Sequence, residues 1–120
     1  MTDRELLELA AKANGIVGEW VEGYGSGDYY YQGNSDGIYY EHSLGGYSVW
    51  NPLTDDGDAL RLAVALPSCI VIDGEMKWCG VHMPGERGKY DFGEGFEGDP
   101  AAATRRAIVR AAAAIGKAMP

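Results

Sequence analysis

Long apolar runs are missing from this sequence. No stretch approaches the ~18–20 consecutive apolar residues that are needed to span a bilayer. The first residues, Met1 to Glu5, lack the basic start and apolar block of a signal peptide. We therefore expect a protein of the cytoplasm that does not bind a membrane.

Cysteine is scarce as well. Cys69 and Cys79 are the only two, and they flank Asp73-Gly74, a pair typical of a two-residue hairpin turn. In that hairpin Cys69 would pair with Trp78, and the alternation of side chains would place the two thiols on opposite faces of the sheet. A disulfide could not close there. Two free thiols are typical of a reducing compartment.

Motifs for catalysis and metal binding are also missing. The sequence has no G-x-S-x-G, H-E-x-x-H, P-loop or C-x-x-C motif. Gly93, Gly95 and Gly98 spell G-x-G-x-x-G, but the acidic residues around them would repel a pyrophosphate. Cys79 and His82 are three residues apart, which puts them on opposite faces of a strand and opposes a metal site. We predict no catalytic residue, no metal and no cofactor.

Positive charge is in short supply. Lys and Arg number 10 against 18 Asp and Glu, for a formal net charge of −8. Nucleic-acid binding draws most of its affinity from cations that neutralise phosphates, so direct binding to DNA or RNA is not expected. The same charge suits a protein that presents carboxylates to the basic groove of a partner. The more ordinary explanation of the acidity is solubility.

The sequence does contain what one folded domain requires. Its 120 residues are 46% hydrophobic and 23% charged, values close to those of globular domains. No linker or internal repeat divides it. We expect a single α+β domain over residues 1–120.

Three segments carry helix signals. Thr2 and Glu5 form a capping box for a helix that runs to about residue 13, where Asn14-Gly15 stops it. Thr54-Asp55-Asp56 supplies caps for a second helix that ends before Pro67. Asp99-Pro100 begins the third. The apolar residues of the second helix are Leu60, Ala63, Val64 and Leu66. In the third, the residues predicted to face the core are Ala101, Thr104, Ile108, Ala111 and Ile115.

A tyrosine-rich segment at about 28–42 lies within a predicted β-meander that spans residues 16–50. If residues 34–37 form the loop of a hairpin, Tyr31 faces Tyr40. Alternation then separates an inward set, which is Tyr29, Tyr31, Ile38, Tyr40 and His42, from an outward set, which is Tyr30, Gln32, Tyr39 and Glu41. Aromatic rings with polar neighbours are typical of binding hot spots, so the outward set is the predicted binding surface. Tyrosines fill a core equally well, and that alternative stays open.

Basic residues cluster on the third helix, at Arg105, Arg106, Arg110 and Lys117. The ordinary interpretation is a solvated helix face. A second interpretation uses Arg106 and Arg110 as ligands for the phosphates of a small nucleotide whose base stacks on tyrosines.

Three stretches together resemble small phage and prophage proteins described as the phage ABA-sandwich domain. They are residues 2–10, residues 50–60 with their Asn-Pro and Asp-rich helix start, and Asp99-Pro100 running into residues 105–109. The resemblance implies an antiparallel sheet with helices packed on both faces, an α/β/α sandwich with a helix at each terminus. It also implies a phage origin, with no settled activity. The segment at about 28–42 looks like an insertion relative to that family.

Three hypotheses for function follow. The first is a non-enzymatic accessory protein in the host cytoplasm that binds a host protein, as an acidic inhibitor of a defence or nucleic-acid-processing complex. The second is a small-ligand protein that binds or sequesters nucleotides. The third is an enzyme built on carboxylates such as Asp55, Asp56 and Asp91, although acids spread through turns are more often caps.

Overall fold

The computed structural model describes residues 1–24, 35–83 and 92–120. Three helices and six strands follow one another along these residues. In chain order they are α1 (Asp3–Ala13), β1 (Gly18–Tyr24), β2 (Ser35–Glu41), β3 (Tyr47–Trp50), α2 (Asp56–Ala65), β4 (Cys69–Asp73), β5 (Trp78–His82), β6 (Phe92–Gly95) and α3 (Pro100–Ala118).

Each helix begins at a side-chain cap. The Thr2 hydroxyl accepts a hydrogen bond from the Glu5 amide, Asp55 accepts one from the Asp58 amide, and Asp99 accepts one from the Ala102 amide. These bonds satisfy N–H groups that the first turn of a helix leaves without a backbone partner. The three predicted helix starts are confirmed.

The strands form two antiparallel sheets of three. Sheet A has the order β1-β2-β3 and sheet B the order β4-β5-β6. A helix at each end of the element order and antiparallel sheets between them confirm the α+β class.

Helix α3 is the centre of the core. It packs against α1 and α2 and against β5 and β6, while α1 also contacts β2. Its buried face consists of small and β-branched residues, which are Ala103, Ala107, Ile108, Val109, Ala111, Ala112, Ala113 and Gly116. Asp3 pairs with Arg106, and the Lys12 ammonium donates to the Met119 carbonyl, so α1 and α3 run in the same direction.

The predicted core face of α3 is partly wrong, and the apolar residues named for α2 are divided between core and surface. In α2 the buried residues are Ala59, Leu62 and Ala63, whereas Leu60 and Val64 are 66% and 78% exposed. In α3 Ala101 is exposed and Thr104 and Ile115 are half-buried, while Ile108 and Ala111 are buried as predicted. Both helices carry apolar residues on more than one face, so helical spacing alone does not choose which stripe packs inward.

The structure differs from both predicted hairpins. In sheet A, residues 35–37 belong to β2 where a loop was expected, and Tyr40 pairs with Gly18 of β1 and Ser48 of β3. Tyr31, the expected partner of Tyr40, lies outside the described residues. In sheet B, Cys69 pairs with His82 instead of Trp78, because residues 74–77 form the connection where a two-residue turn was expected. The thiols still point to opposite faces, and both cysteines are free as predicted.

Candidate functional site

A polar cleft of about 670 Å³ opens between the start of α1, the inner face of sheet A and the start of α2. Four aspartates and two arginines line it together with two large aromatic rings. The charged and aromatic members are Asp3, Arg4, Trp20, Asp36, Tyr40, Asp55, Asp58 and Arg61. Four carboxylates against two guanidinium groups give the cleft a net negative charge.

Asn51 holds the walls of the cleft together. This buried residue follows β3, and its side-chain amide donates a 2.7 Å hydrogen bond to the Asp36 carbonyl of β2. Its backbone N–H donates to the Asp58 carboxylate at 3.0 Å, which fixes the first turn of α2. Its side-chain oxygen accepts from the Leu53 amide at 3.0 Å. Because a buried amide without partners is costly, these bonds set the distance between sheet A and α2.

The floor of the cleft is aromatic. Trp20 of β1 and Tyr40 of β2 lie on the same face of sheet A, since Trp20 pairs with Ile38 and side chains two apart share a face. The Trp20 indole N–H donates to Glu22 at 3.0 Å, which orients the ring. The Arg4 guanidinium carbon lies 6.0 Å from the centre of the Trp20 ring, close to the limit of a cation–π contact.

The rim on the α2 side is an acidic pair with an arginine across it. The Arg61 guanidinium donates to Asp58 at 2.8 Å and lies 3.9 Å from Asp55. The Arg61 side chain is 71% exposed, whereas that of Asp58 is only 14% exposed. The hydrogen bond to Asp58 raises the pKa of Arg61 above its usual value; desolvation lowers that pKa, and the negative charges of Asp58 and Asp55 add to the increase.

Tyr39 and Glu41, the two described members of the predicted binding surface, lie on the opposite face of sheet A. There Tyr39 stacks on Tyr47, with ring centres 5.0 Å apart and planes 3° from parallel. Tyr39 is half-buried, and Glu41 beside it is exposed. Tyr30 and Gln32, the other predicted members, lie outside the described residues, as do Tyr29 and Tyr31.

The arginines of α3 each tie the helix to another element. Arg105 donates to the Leu53 carbonyl at 2.8 Å and to Asp56 at 2.6 Å. Arg106 donates to Asp3 of α1 at 2.9 Å. Arg110 donates to Glu94 of β6 at 2.7 Å and packs its guanidinium on the Phe92 ring. The structure therefore does not present Arg106 and Arg110 side by side as an unpaired phosphate site.

Asp55 and Asp56, two of the carboxylates proposed for an enzyme, each have a structural partner. Asp55 caps α2, and Asp56 pairs with Arg105. Asp91 lies outside the described residues. Within residues 1–24, 35–83 and 92–120, no three His, Cys, Asp or Glu side chains group to hold a metal ion.

Sequence reasoning missed the cleft because its members are scattered from Asp3 to Arg61 and no motif links them. One available signal was the Asn51-Pro52 pair before the acidic helix start, since a buried Asn between a strand and a helix commonly bridges both. The cleft can accept a cation between carboxylates and place it against aromatic rings.

A scan against protein-family models finds no match to this chain. A search of curated proteins finds none. A search of solved structures likewise finds none. In the described part of the chain, no helix is both long enough and apolar enough to cross a membrane.

Proposed function

We propose that this chain is a non-enzymatic binding protein and that its partner is a protein with a basic surface. The observation that carries the proposal is the cleft, in which four aspartates outnumber two arginines and two aromatic rings form the floor. A concave site with a net negative charge and half-buried aromatic rings at its floor suits Lys or Arg side chains of a partner. An overall charge of −8 would speed the encounter with such a partner.

The proposal is tested with a pair of charge-matched variants. Asp36→Asn with Asp55→Asn removes two charges from the cleft, and Asn replaces Asp well as a helix cap. Asp73→Asn with Glu75→Gln removes two charges from the β4–β5 connection and serves as the control. Immobilised wild type is incubated with bacterial lysate at physiological salt, and the captured protein is purified for calorimetric titration.

The cleft variant should bind that protein at least about tenfold more weakly, or 1.4 kcal/mol. The control variant should bind as wild type does. Equal losses of affinity in the two variants would mean that binding depends only on overall charge. The proposal would be overturned if no captured protein shows saturable binding.

The second candidate is a small nucleotide ligand, which Trp20 and Tyr40 favour because rings of this kind stack on bases. Arg4 and Arg61 would then hold the phosphates. A thermal-shift series with cyclic and linear nucleotides tests it, since a ligand at one hundred times its Kd stabilises by about 2.7 kcal/mol. No change in Tm across the series would exclude this candidate.

The resemblance to the phage ABA-sandwich domain supports placing the partner in a bacterial host, where an acidic phage protein would inhibit a defence or nucleic-acid-processing complex in the cytoplasm. As part of the same proposal, the two sheets and three helices are arranged as the α/β/α sandwich that the resemblance implies.

A further inference from the structure

One edge of sheet B is open. The sheet has the order β4-β5-β6, so among the described residues one side of β4 pairs with β5 and the other side pairs with no strand. Residues 69–72 contain no charge and no proline, and the register of β4 against β5 runs without a bulge. Charges, prolines and bulges are what sheet proteins use to keep an edge strand from pairing with another chain. The β4 edge has none of these barriers over residues 69–72.

Backbone hydrogen bonds in β5 fix the direction of those in β4. The Phe96 amide donates to the Lys77 carbonyl at 3.0 Å, so Lys77 bonds toward β6. Bonds alternate sides along an antiparallel strand, and the next residue, Trp78, therefore directs its backbone N–H and C=O groups toward β4. Its partner there is Asp73. Asp73 thus bonds to β5, and so does every second residue of β4 before it.

The open edge is formed by the backbone of Ile70 and Ile72. These two residues alternate with those that bond to β5, so their N–H and C=O groups point away from the sheet. A second copy of β4, antiparallel to the first, places Ile70 opposite Ile72 of that copy and satisfies the outward groups of both strands at once. Val71 then lies on the two-fold axis, opposite its own copy. The edge is therefore complementary to itself, as a symmetric dimer requires.

Apolar side chains beside this edge are covered by the same contact. Ile72 is 60% exposed and lines a groove of about 310 Å³ together with Leu60 of α2. Val64 lies one turn after Leu60 and is also exposed. Because a joined sheet keeps each face continuous, both copies of α2 lie on one side of it and bring these residues toward the axis. The contact thus removes exposed aliphatic surface from water.

Charge does not oppose this pairing at the axis. Asp73 is the acidic residue of β4, and in this register it lies opposite Cys69 of the second copy. The two copies of Asp73 are separated along the strand by about 13 Å, which exceeds the Debye length of about 8 Å at physiological salt. Repulsion between two chains of net charge −8 is therefore largely screened at this contact.

The size of the contact sets the expected affinity. The five residues of β4 extend over about 17 Å, and the ten residues of α2 beside them over about 15 Å. A strand edge and one helix in each copy give a contact at the small end of specific interfaces, with about 600 Å² buried per copy. A dimer of this size should form and dissociate in the micromolar range.

We propose that this protein forms a symmetric dimer through β4, in which sheet B of one copy continues into sheet B of a second copy. This inference does not depend on the proposed function, because none of the described residues that line the cleft belongs to sheet B.

A cysteine at the axis tests the register. In a Cys69→Ser background, Val71→Cys places two thiols in a non-hydrogen-bonded pair, whose Cα atoms are about 4.5 Å apart and can form a disulfide. With oxidised glutathione as the oxidant, a non-reducing gel should show a covalent dimer of twice the 12.9 kDa chain mass. Wild type is the control, since Cys69 is exposed but its two copies would be about 13 Å apart. It should cross-link at least about tenfold more slowly, because its thiols cannot meet in this dimer.

Sedimentation of the full chain over a concentration series measures the dimer without an oxidant. Ile72→Lys puts an ammonium group on each copy, at positions about 7 Å apart along the joined strands, and should raise the dimer Kd at least about tenfold. Met76→Lys is the matched control, because it makes the same charge change at an exposed position beyond the strand and should leave Kd within about twofold. Both replaced side chains are exposed, so Tm should stay near wild type in both variants.

Three results would overturn the inference. Wild type could sediment as a monomer at every concentration, which would leave the edge to a strand of another protein or to none. The dimer Kd could be the same for Ile72→Lys and Met76→Lys, which would place any dimer contact elsewhere. Wild-type Cys69 could cross-link as fast as Val71→Cys, which would mean a different register or chance collision.

Discussion

The interface between α1 and α3 is closely packed where Gly116 meets the backbone of Leu9, whereas the cleft between sheet A and α2 is lined by charges and aromatic rings. At the interface a Cβ on Gly116 would lie 1.9 Å from the Leu9 carbonyl oxygen. At the cleft the guanidinium of Arg61 is held by exposed ion pairs. Close packing tolerates no added atom, while exposed ion pairs can exchange partners at little cost. The proposed function thus places binding in a different region of the molecule from the packing that stabilises it.

The largest expected effect is truncation in the core. Ile108 is 5% exposed, so Ile108→Ala removes buried area, leaves a cavity and should lower the free energy of unfolding by about 2–5 kcal/mol. Urea denaturation measures the loss. Leu60→Ala is the matched control, because Leu60 is 66% exposed and its truncation should cost within about 0.5 kcal/mol. Equal losses in the two variants would mean that Leu60 is in fact buried.

Adding one methyl group at the helix interface should have the next largest effect. Gly116→Ala must push the backbones of α3 and α1 apart, and overpacking of this kind costs about 1–3 kcal/mol. Gly74→Ala provides the control, since a Cβ there meets nothing within 4 Å. The midpoint of urea denaturation should fall for Gly116→Ala and stay near wild type for Gly74→Ala. An unchanged midpoint for Gly116→Ala would contradict close contact of the two helices.

The smallest effect is expected at the rim of the cleft. Arg61→Gln should change the free energy of unfolding by at most about 1 kcal/mol, because the Arg61 side chain is 71% exposed in both of its ion pairs. Chemical denaturation in low salt, where such pairs are strongest, is the sensitive measurement. A loss comparable to that of Gly116→Ala would make Arg61 a structural residue and remove the contrast between the two regions.

Local features were predictable from the sequence and long-range ones were not. The caps at Thr2, Asp55 and Asp99 are formed by residues three positions apart, so neighbouring sequence contains all the necessary information. The turn at Asp73 shows the limit. Its carboxylate accepts from the Glu75 and Met76 amides and opens the connection to four residues, which shifts the whole register of β4 against β5.

The candidate site was less predictable than the fold. Glu41 and Tyr39 lie on one face of β2, as strand alternation requires, but the cleft opens on the other face and depends on how α1 and α2 pack. The arginines of α3 show the same limit, because their acidic partners are distant in sequence. The separation is 16 residues for Arg110 and Glu94, 49 for Arg105 and Asp56, and 103 for Arg106 and Asp3. Spacing along a helix does not reveal such partners.

The parallel pairing of α1 with α3 has a consequence for the order of events during synthesis. Residues 3–13 leave the ribosome before residues 100–118, which form the helix that packs on them. At about 5–20 residues per second, α1 waits several seconds before α3 can cover Leu6, Leu7 and Ala10. Contacts between such distant segments also slow the folding step itself. The nascent chain therefore exposes apolar residues of α1 until α3 has been synthesised and can pack against them.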